Sequence, residues 1–217
     1  MDLASFFITL KLAVVTTLVL VVLAAPAAYL LAYARFPGKP LIETLVYLPM
    51  ALPPTVMGFY LVMLMGPKGL VGRCWLALGG EALLFTFQGI VVAALIYSIP
   101  FAIQPMKAAF QKIDRRIIEN SYVLGLSARE TFFRVVIPNS KSGIVAAAVL
   151  VFLHSIGAFG ILMMVGGSIP GETRVASIAI YEAVEMMDYR GAALMSMSFI
   201  PVSYAFLLLV SRLNKDS

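Results

Sequence analysis

The chain has 217 residues, 61% of them hydrophobic and 12% charged, with a mean hydropathy of +0.97 and a net charge of +5. Soluble domains are about 45–50% apolar and about 25% charged, so this composition excludes a soluble globular fold and supports an integral membrane protein. The single cysteine, Cys74, excludes an intrachain disulfide and a cysteine-held metal site, and reads as a small apolar filler.

Uncharged runs mark the expected spans: Leu12–Ala34, Thr44–Pro67, Ala82–Met106, Ser142–Gly171 and Gly191–Ser211. Each reaches the roughly 20 residues that a helix needs to cross a bilayer. An all-α polytopic protein with five spans follows, forming one domain over residues 5–213, with the two termini on opposite sides. The first run lacks a basic segment ahead of it and is too long for a cleavable signal core, so it is expected to stay in the membrane.

In the second run, Pro49, Pro53 and Pro54 sit within "LPMALPPTVMG". Prolines interrupt backbone pairing, and broken helices flank the substrate path in many transporters. A simple kink, accommodated by neighbouring helices, is the alternative. On the first reading Pro53, Pro54 and Thr55 are pathway candidates, with Thr55 supplying a hydroxyl.

The polar stretch 107–141 separates the third and fourth runs and carries seven basic and three acidic residues. Placed inside the cell, it brings eleven Lys and Arg residues to the inner side against four outside, with Lys11 near the outer end of the first span. That is a positive-inside bias. It accounts for the net charge without nucleic acid and predicts the N-terminus outside and the C-terminus in the cytoplasm.

Within this loop, Asp114 is placed to cap a helix over Arg115–Leu124, and Gly125 to end it in a positive-φ conformation. Ser127-Ala128-Arg129-Glu130 has the spacing of a capping box; it predicts a second short helix, stopped by Pro138. Tyr122, Leu124, Leu126, Phe132 and Phe133 would then be apolar residues exposed on a small helical unit, which suits a partner's groove or the membrane surface. An interfacial helix pair that merely joins two spans is the plainer reading. A DNA-reading helix-turn-helix is disfavoured, because spans tether both ends and close off a duplex groove.

The loop resembles the signature of ATP-binding-cassette (ABC) importer permeases, which runs E-A-A, three residues, Gly, nine residues, I-x-L-P. Here it stands as Glu119-Asn120-Ser121, Gly125 and Val135-Val136-Ile137-Pro138, with Asn and Ser in place of the two alanines. The resemblance implies the type I importer permease fold and a coupling helix docked into a groove on a separate ATPase, with Glu119, Asn120, Ser121, Gly125, Leu126, Ser127 and Pro138 as coupling residues. The stretches Arg35–Gly72, Leu83–Gln104 and Val165–Tyr189 look like molybdate-type permeases, a group that shares much with tungstate and sulfate permeases. The implied partners are a pair of ABC ATPase subunits, a second copy of the chain, and an extracytoplasmic oxyanion-binding protein; no cofactor or metal is implied.

The fourth run departs from that group. Molybdate permeases commonly read F-A-R-A-L-G-E-F-G, whereas Phe152–Gly160 places His154 at the Arg and Ala158 at the Glu. The two positions share a helix face, and an Arg stripped of its Glu partner would cost at least about 2.5–3.5 kcal/mol in the membrane. Their joint loss is therefore coherent. His154 reads either as a pathway or gate residue or as a neutral histidine bonded to a backbone or hydroxyl oxygen. After the fourth run, the apolar segment Val175–Tyr181 is too short to span and reads as a re-entrant or surface helix near the outer gate, or else as a solvated connector.

Two other classes fit poorly. An ion-coupled secondary carrier would be expected to place acidic residues within its spans, and the uncharged runs hold none. A membrane-embedded enzyme would need a set of reactive groups around the single His, and none is present. The sequence also lacks G-x-x-x-x-G-K-[ST], so ATP hydrolysis is expected on another chain.

Overall fold

The computed structural model describes residues 2–215; the side chains of residue 206 and of residues 209–215 lie outside the description, as does Ser217. The charges of Arg212 and Lys215, counted on the inner side above, therefore lie outside the described residues. The described fold is helical throughout, and its core is three packed helices: α1 (Leu3–Tyr33), α5 (Phe87–Gln111) and α9 (Lys141–Gly157). Lipid tails are as apolar as these side chains, so close backbone approach rather than water exclusion drives packing between such helices, and small residues permit it. Ala13, Ala24, Ala28, Ala93, Ala94, Ala102 and Ala147 are buried where these helices meet. Larger residues, among them Leu12, Ile90, Met106, Phe110 and Val151, fill the remaining space.

The first span is longer than its uncharged run. Asp2 caps α1 by accepting from the Ser5 amide, so the helix starts at Leu3 and carries Lys11 within it. The Lys11 ammonium lies 4.2 Å from the centre of the Phe87 ring, which offers it a favourable face. Thr86 caps α5, its hydroxyl accepting from the Gly89 amide.

Two of the expected spans are broken. The second divides into α2 (Lys39–Ala51) and α3 (Pro54–Met65), bent by 113°. Pro53 and Pro54 cause this: each has a fixed φ and no amide proton, and Leu52 before them is forced into extended backbone. The break is therefore a sharp elbow rather than a kink. The fourth run does not reach Gly171 as a single helix. At 17 residues α9 ends at Gly157, and the chain turns through Ala158 and Phe159 into α10 (Gly160–Gly166), which packs against α3. A Cβ at Gly58 would lie 2.7 Å from the Met164 Cβ, so this glycine is required for the approach of α3 to α10. Between α3 and α5 lies a helix that the sequence reading did not foresee, α4 (Leu70–Ala77).

On the far side of the core, α11 (Ala176–Glu185) is the short helix expected after the fourth run, and α12 (Tyr189–Lys215) covers the fifth run. Taken alone, α1 and α5 are each long and apolar enough to cross a bilayer, while the α2–α3 pair does so only as a broken element.

Candidate functional site: the polar loop and a cavity beneath the elbow

The loop folds as α6 (Arg115–Val123), a positive-φ elbow at Gly125, α7 (Ala128–Thr131), one wide π turn over Phe132–Val136, and α8 (Ile137–Asn139). The Asp114 carboxylate accepts from the Arg116 amide and starts α6. Gly125 has φ +85, and a Cβ there would meet nothing within 4 Å, so the demand for glycine is conformational and not steric. The capping box is complete. The Ser127 hydroxyl accepts from the Glu130 amide, and the Glu130 carboxylate accepts from the Ser127 amide at 3.0 Å. These bonds from Ser127 hold the Glu130 carboxyl below its ordinary pKa, with a smaller contribution from Arg134.

Pro138 does not stop the second helix, as the sequence had suggested. Its ring would crowd the carbonyl four residues earlier. The backbone widens ahead of it instead, so that the Ile137 amide reaches back five residues to the Phe132 carbonyl. The helix then runs on to Asn139. Pi turns of this kind are common at functional sites.

The signature residues divide into two groups. Glu119, Asn120, Gly125, Ser127 and Pro138 are exposed, and Leu126 is half-buried. Glu119 forms no ion pair with Arg115 or Arg116. Ser121 turns inward: it is 4% exposed, and its hydroxyl bonds the Ile118 carbonyl at 2.6 Å and the Thr131 hydroxyl at 2.9 Å. It therefore fastens α6 to α7 and does not present a surface. Phe132, expected to be exposed, packs on Tyr29 with ring centres 5.2 Å apart. Together with buried Val136 and Ile118 it roots the loop in the α1–α5 core, and the Tyr33 hydroxyl adds a bond to the Phe110 carbonyl. What projects is a tip of Val123, 86% exposed, and Leu124, 79% exposed, flanked by Tyr122 and Phe133. Val123 was missed in the sequence; it precedes the α6 C-cap, where nothing in the pattern distinguishes an outward residue from an inward one.

The second candidate region lies deeper. A cavity of about 470 Å³ is lined by Pro54 and Thr55 of α3, Tyr97 of α5, Leu153, His154 and Gly157 of α9, and Ala158 to Gly160. The structure thus brings together three of the four pathway candidates, Pro54, Thr55 and His154. Pro53 stands at the elbow and does not line the cavity. The His154 ring is stacked on Phe101, with centres 4.0 Å apart, and lies 4.5 Å from the Tyr97 ring. Its Nε2 is buried and has no hydrogen-bond partner, so the structure does not supply the oxygen partner expected of a plain core histidine at that nitrogen.

On the opposite face, Arg174 pairs with Glu182 at 2.8 Å and with Asp2 at 3.6 Å, and the Thr9 hydroxyl accepts from the Ala176 amide. The segment before α11 is thereby pinned to the start of α1.

A family model described as the binding-protein-dependent transport system inner membrane component matches residues 20–216. The chain belongs to this family. Among its relatives, the molybdenum transport system permease protein ModB of Azotobacter vinelandii is 44% identical over 191 residues, 88% of this chain and 84% of the relative. The ModB of Escherichia coli K12 is 33% identical over 73% of this chain and 69% of its own. A probable sulfate transport system permease of Prototheca wickerhamii is 30% identical over 94% of this chain and 79% of its own. The fold is shared with a bacterial alginate ABC transporter solved with its pentasaccharide-bound periplasmic protein, at TM-score 0.79 and 18% identity over 99% of this chain and 78% of that one. As an inner membrane component, the chain is a multi-pass membrane protein of the type I ABC importer permease fold.

Proposed function

We propose that this chain is the membrane-spanning permease subunit of an ATP-driven importer of molybdate, working as a pair of identical copies with two ATPase subunits on a separate chain. A soluble binding protein delivers the anion on the outer side. The N-terminus lies outside, and the coupling loop and C-terminus lie in the cytoplasm. The observation that carries this reading is the loop: an apolar tip with an unpaired Glu119, on a base set rigidly into the α1–α5 core. Such a knob passes motion from a docked partner into the helices, because packed interfaces switch between discrete arrangements and do not stretch. The molybdate assignment is supported by the similarity to ModB over most of both chains.

The chemistry required of the chain is translocation. ATP binding would draw the ATPases together and turn the pathway outward, and hydrolysis would return it inward. The test is uptake into proteoliposomes holding the permease pair, the ATPase and the binding protein, supplied in turn with molybdate, tungstate and sulfate. ATP-dependent molybdate uptake at the lowest anion concentration supports the proposal. Sulfate taken up in its place would move the chain to the sulfate group, which the Prototheca relative keeps in view. Uptake that follows an ion gradient without ATP would overturn the reading.

A further inference from the structure

At the end of the molecule away from the polar loop, the chain leaves α3 at Met65 and returns to α5 through Leu83, with α4 between them. Met65 and Leu83 are both buried in the cluster that holds Ile8 and Leu12 of α1. The excursion therefore starts and ends at the depth of the second and third turns of α1. At that depth, and for a further turn beyond it, α1 still presents Leu3, Phe7 and Leu10 to its surroundings. On a membrane-spanning helix such residues face lipid, so the bilayer reaches as far as Leu3. At this depth α4 is unlike a water-facing helix. Of its eight residues only Gly72 is buried, and Arg73 carries its one charge. Leu70, Val71, Trp75 and Leu76 are each at least 42% exposed, and the C-cap Leu78 is 84% exposed. The helix meets α3 backbone to backbone: a Cβ at Gly72 would lie 2.1 Å from the Gly66 carbonyl oxygen. Around its axis, Val71, Trp75 and Leu78 fall at i, i+4 and i+7 and form one stripe, whereas Arg73 stands about 200° from Val71.

We propose that α4 is an interfacial helix lying in the leaflet opposite the polar loop, with the Val71–Trp75–Leu78 stripe among the acyl chains and the Arg73 guanidinium on a phospholipid phosphate. Continuity with the lipid face of α1 decides for the bilayer over a soluble partner, because α4 occupies a depth at which the neighbouring span is still clothed in lipid. The chemistry of the side chains agrees. An indole has an apolar body and a single N–H, which suits the boundary between chains and headgroups. A guanidinium binds two phosphate oxygens through parallel bonds. A helix of this kind is held by its apolar face and by the charge on its other side. The Gly80 amide bonds the Trp75 carbonyl, and Gly79 takes φ +84, which ends the helix and sends the chain back toward α5. Set in the leaflet, α4 tethers the end of α3 that lies farthest from the Pro53–Pro54 elbow, so α3 hangs between a bend in the chain and a fastening in the lipid. Nothing in this arrangement depends on which anion is carried.

Trp75 is the one tryptophan of the chain, and the exposed Cys74 beside it is the one cysteine, so the helix carries its own two probes. The full-length chain is reconstituted into vesicles of phosphatidylethanolamine and phosphatidylglycerol, with bromine placed either near the glycerol end or near the methyl end of the acyl chains. Its indole emission is then that of Trp75. Shallow bromine is expected to quench it at least about twofold and deep bromine far less, because an interfacial helix lies about 5–10 Å into the boundary. Arg73→Glu should lower both the shallow quenching and the phosphatidylglycerol retained on purification, and Arg73→Lys should keep most of both. Emission quenched by aqueous acrylamide and by neither brominated lipid overturns the proposal, and so does deep bromine quenching as strongly as shallow. Protection from acrylamide that arises only when the binding protein is added would make α4 a protein-docking surface instead. Cross-linking of two copies through Cys74, without lipid quenching, would assign it to the contact between subunits, and the lipid assignment would fall.

Discussion

The polar loop over 107–141 and the Arg174 clasp sit at opposite ends of α1, and they handle polarity in opposite ways. In the clasp, charged groups are spent within the chain: Arg174 holds Asp2 and Glu182, and Thr9 holds the Ala176 backbone. The Asp2 carboxyl is desolvated there, yet its bonds from Ser5, aided by Arg174, outweigh that and keep it below its ordinary pKa. In the loop, the exposed Glu119 and the apolar tip are left without partners, while the internal bonds of Asp114, Ser121 and Ser127 keep the unit in shape. A segment whose charges are paired at home is tied to its own chain; one that is held in shape internally keeps its outward groups free.

The sharpest way to break this contrast is Glu119→Ala. Removing one side of a partly buried interface pair costs roughly 2–5 kcal/mol, so ATPase recovery in co-purification at matched expression should fall at least about tenfold, with the permease still folded. Unchanged recovery would mean that the loop's openness at Glu119 has no partner behind it. Next is Gly125→Val. Left-handed backbone costs an ordinary residue about 1–2 kcal/mol, and a β-branched one more. ATP-driven uptake should drop severalfold or more while ATP hydrolysis persists, and Gly125→Asn should recover most of it, because the site is open to a side chain.

On the clasp side, Arg174→Gln removes both ion pairs, together on the order of 1–2 kcal/mol for a partly exposed network. Hydrogen exchange should quicken in 167–188 and in the first turns of α1 and leave the polar loop unchanged. Spread of the effect to the loop would show that the two ends are not independent.

The smallest effect is expected from Ser127→Ala, about 1 kcal/mol for a lost cap. Its pH dependence fixes the cause. The Glu130 pKa is depressed in the folded loop, so its contribution is fully present above the unfolded carboxylate pKa and is lost as pH falls through the lower folded value. Wild-type α7 should loosen on acidification below about pH 4.5, the ordinary value for this group, whereas Ser127→Ala should respond less, as followed by exchange at Thr131.

How legible these regions were differs for the same physical reason. Local signals act over a few residues, so Asp114, Gly125 and the Ser127–Glu130 box could be read directly. Hydrophobic length gave the positions of α1 and α5 well, because one uncharged run became one helix in each. It failed for Ser142–Gly171, where nothing local distinguishes a continuing span from one that turns at Ala158 to let α10 meet α3. The prolines after Leu52 announced a disturbance, but a kink and a 113° elbow share the same residues. The side of α6 on which Ser121 lies depends on Thr131, ten residues on, and the meeting of Thr55 with His154 depends on three separate helices. Phe101 carried no signal at all, since a phenylalanine in an apolar helix looks like any other until its ring is found on the histidine.

The elbow at Pro53 and Pro54 has a consequence for how the chain is made. The ribosome releases α3 long before α10, yet Gly58 of α3 is shaped to receive Met164 of α10. Until α10 emerges, the face of α3 that carries Gly58 has no mate. The first half of the bent segment, α2, can pack on α5 early, but α3 takes its final seat only once α10 has been made.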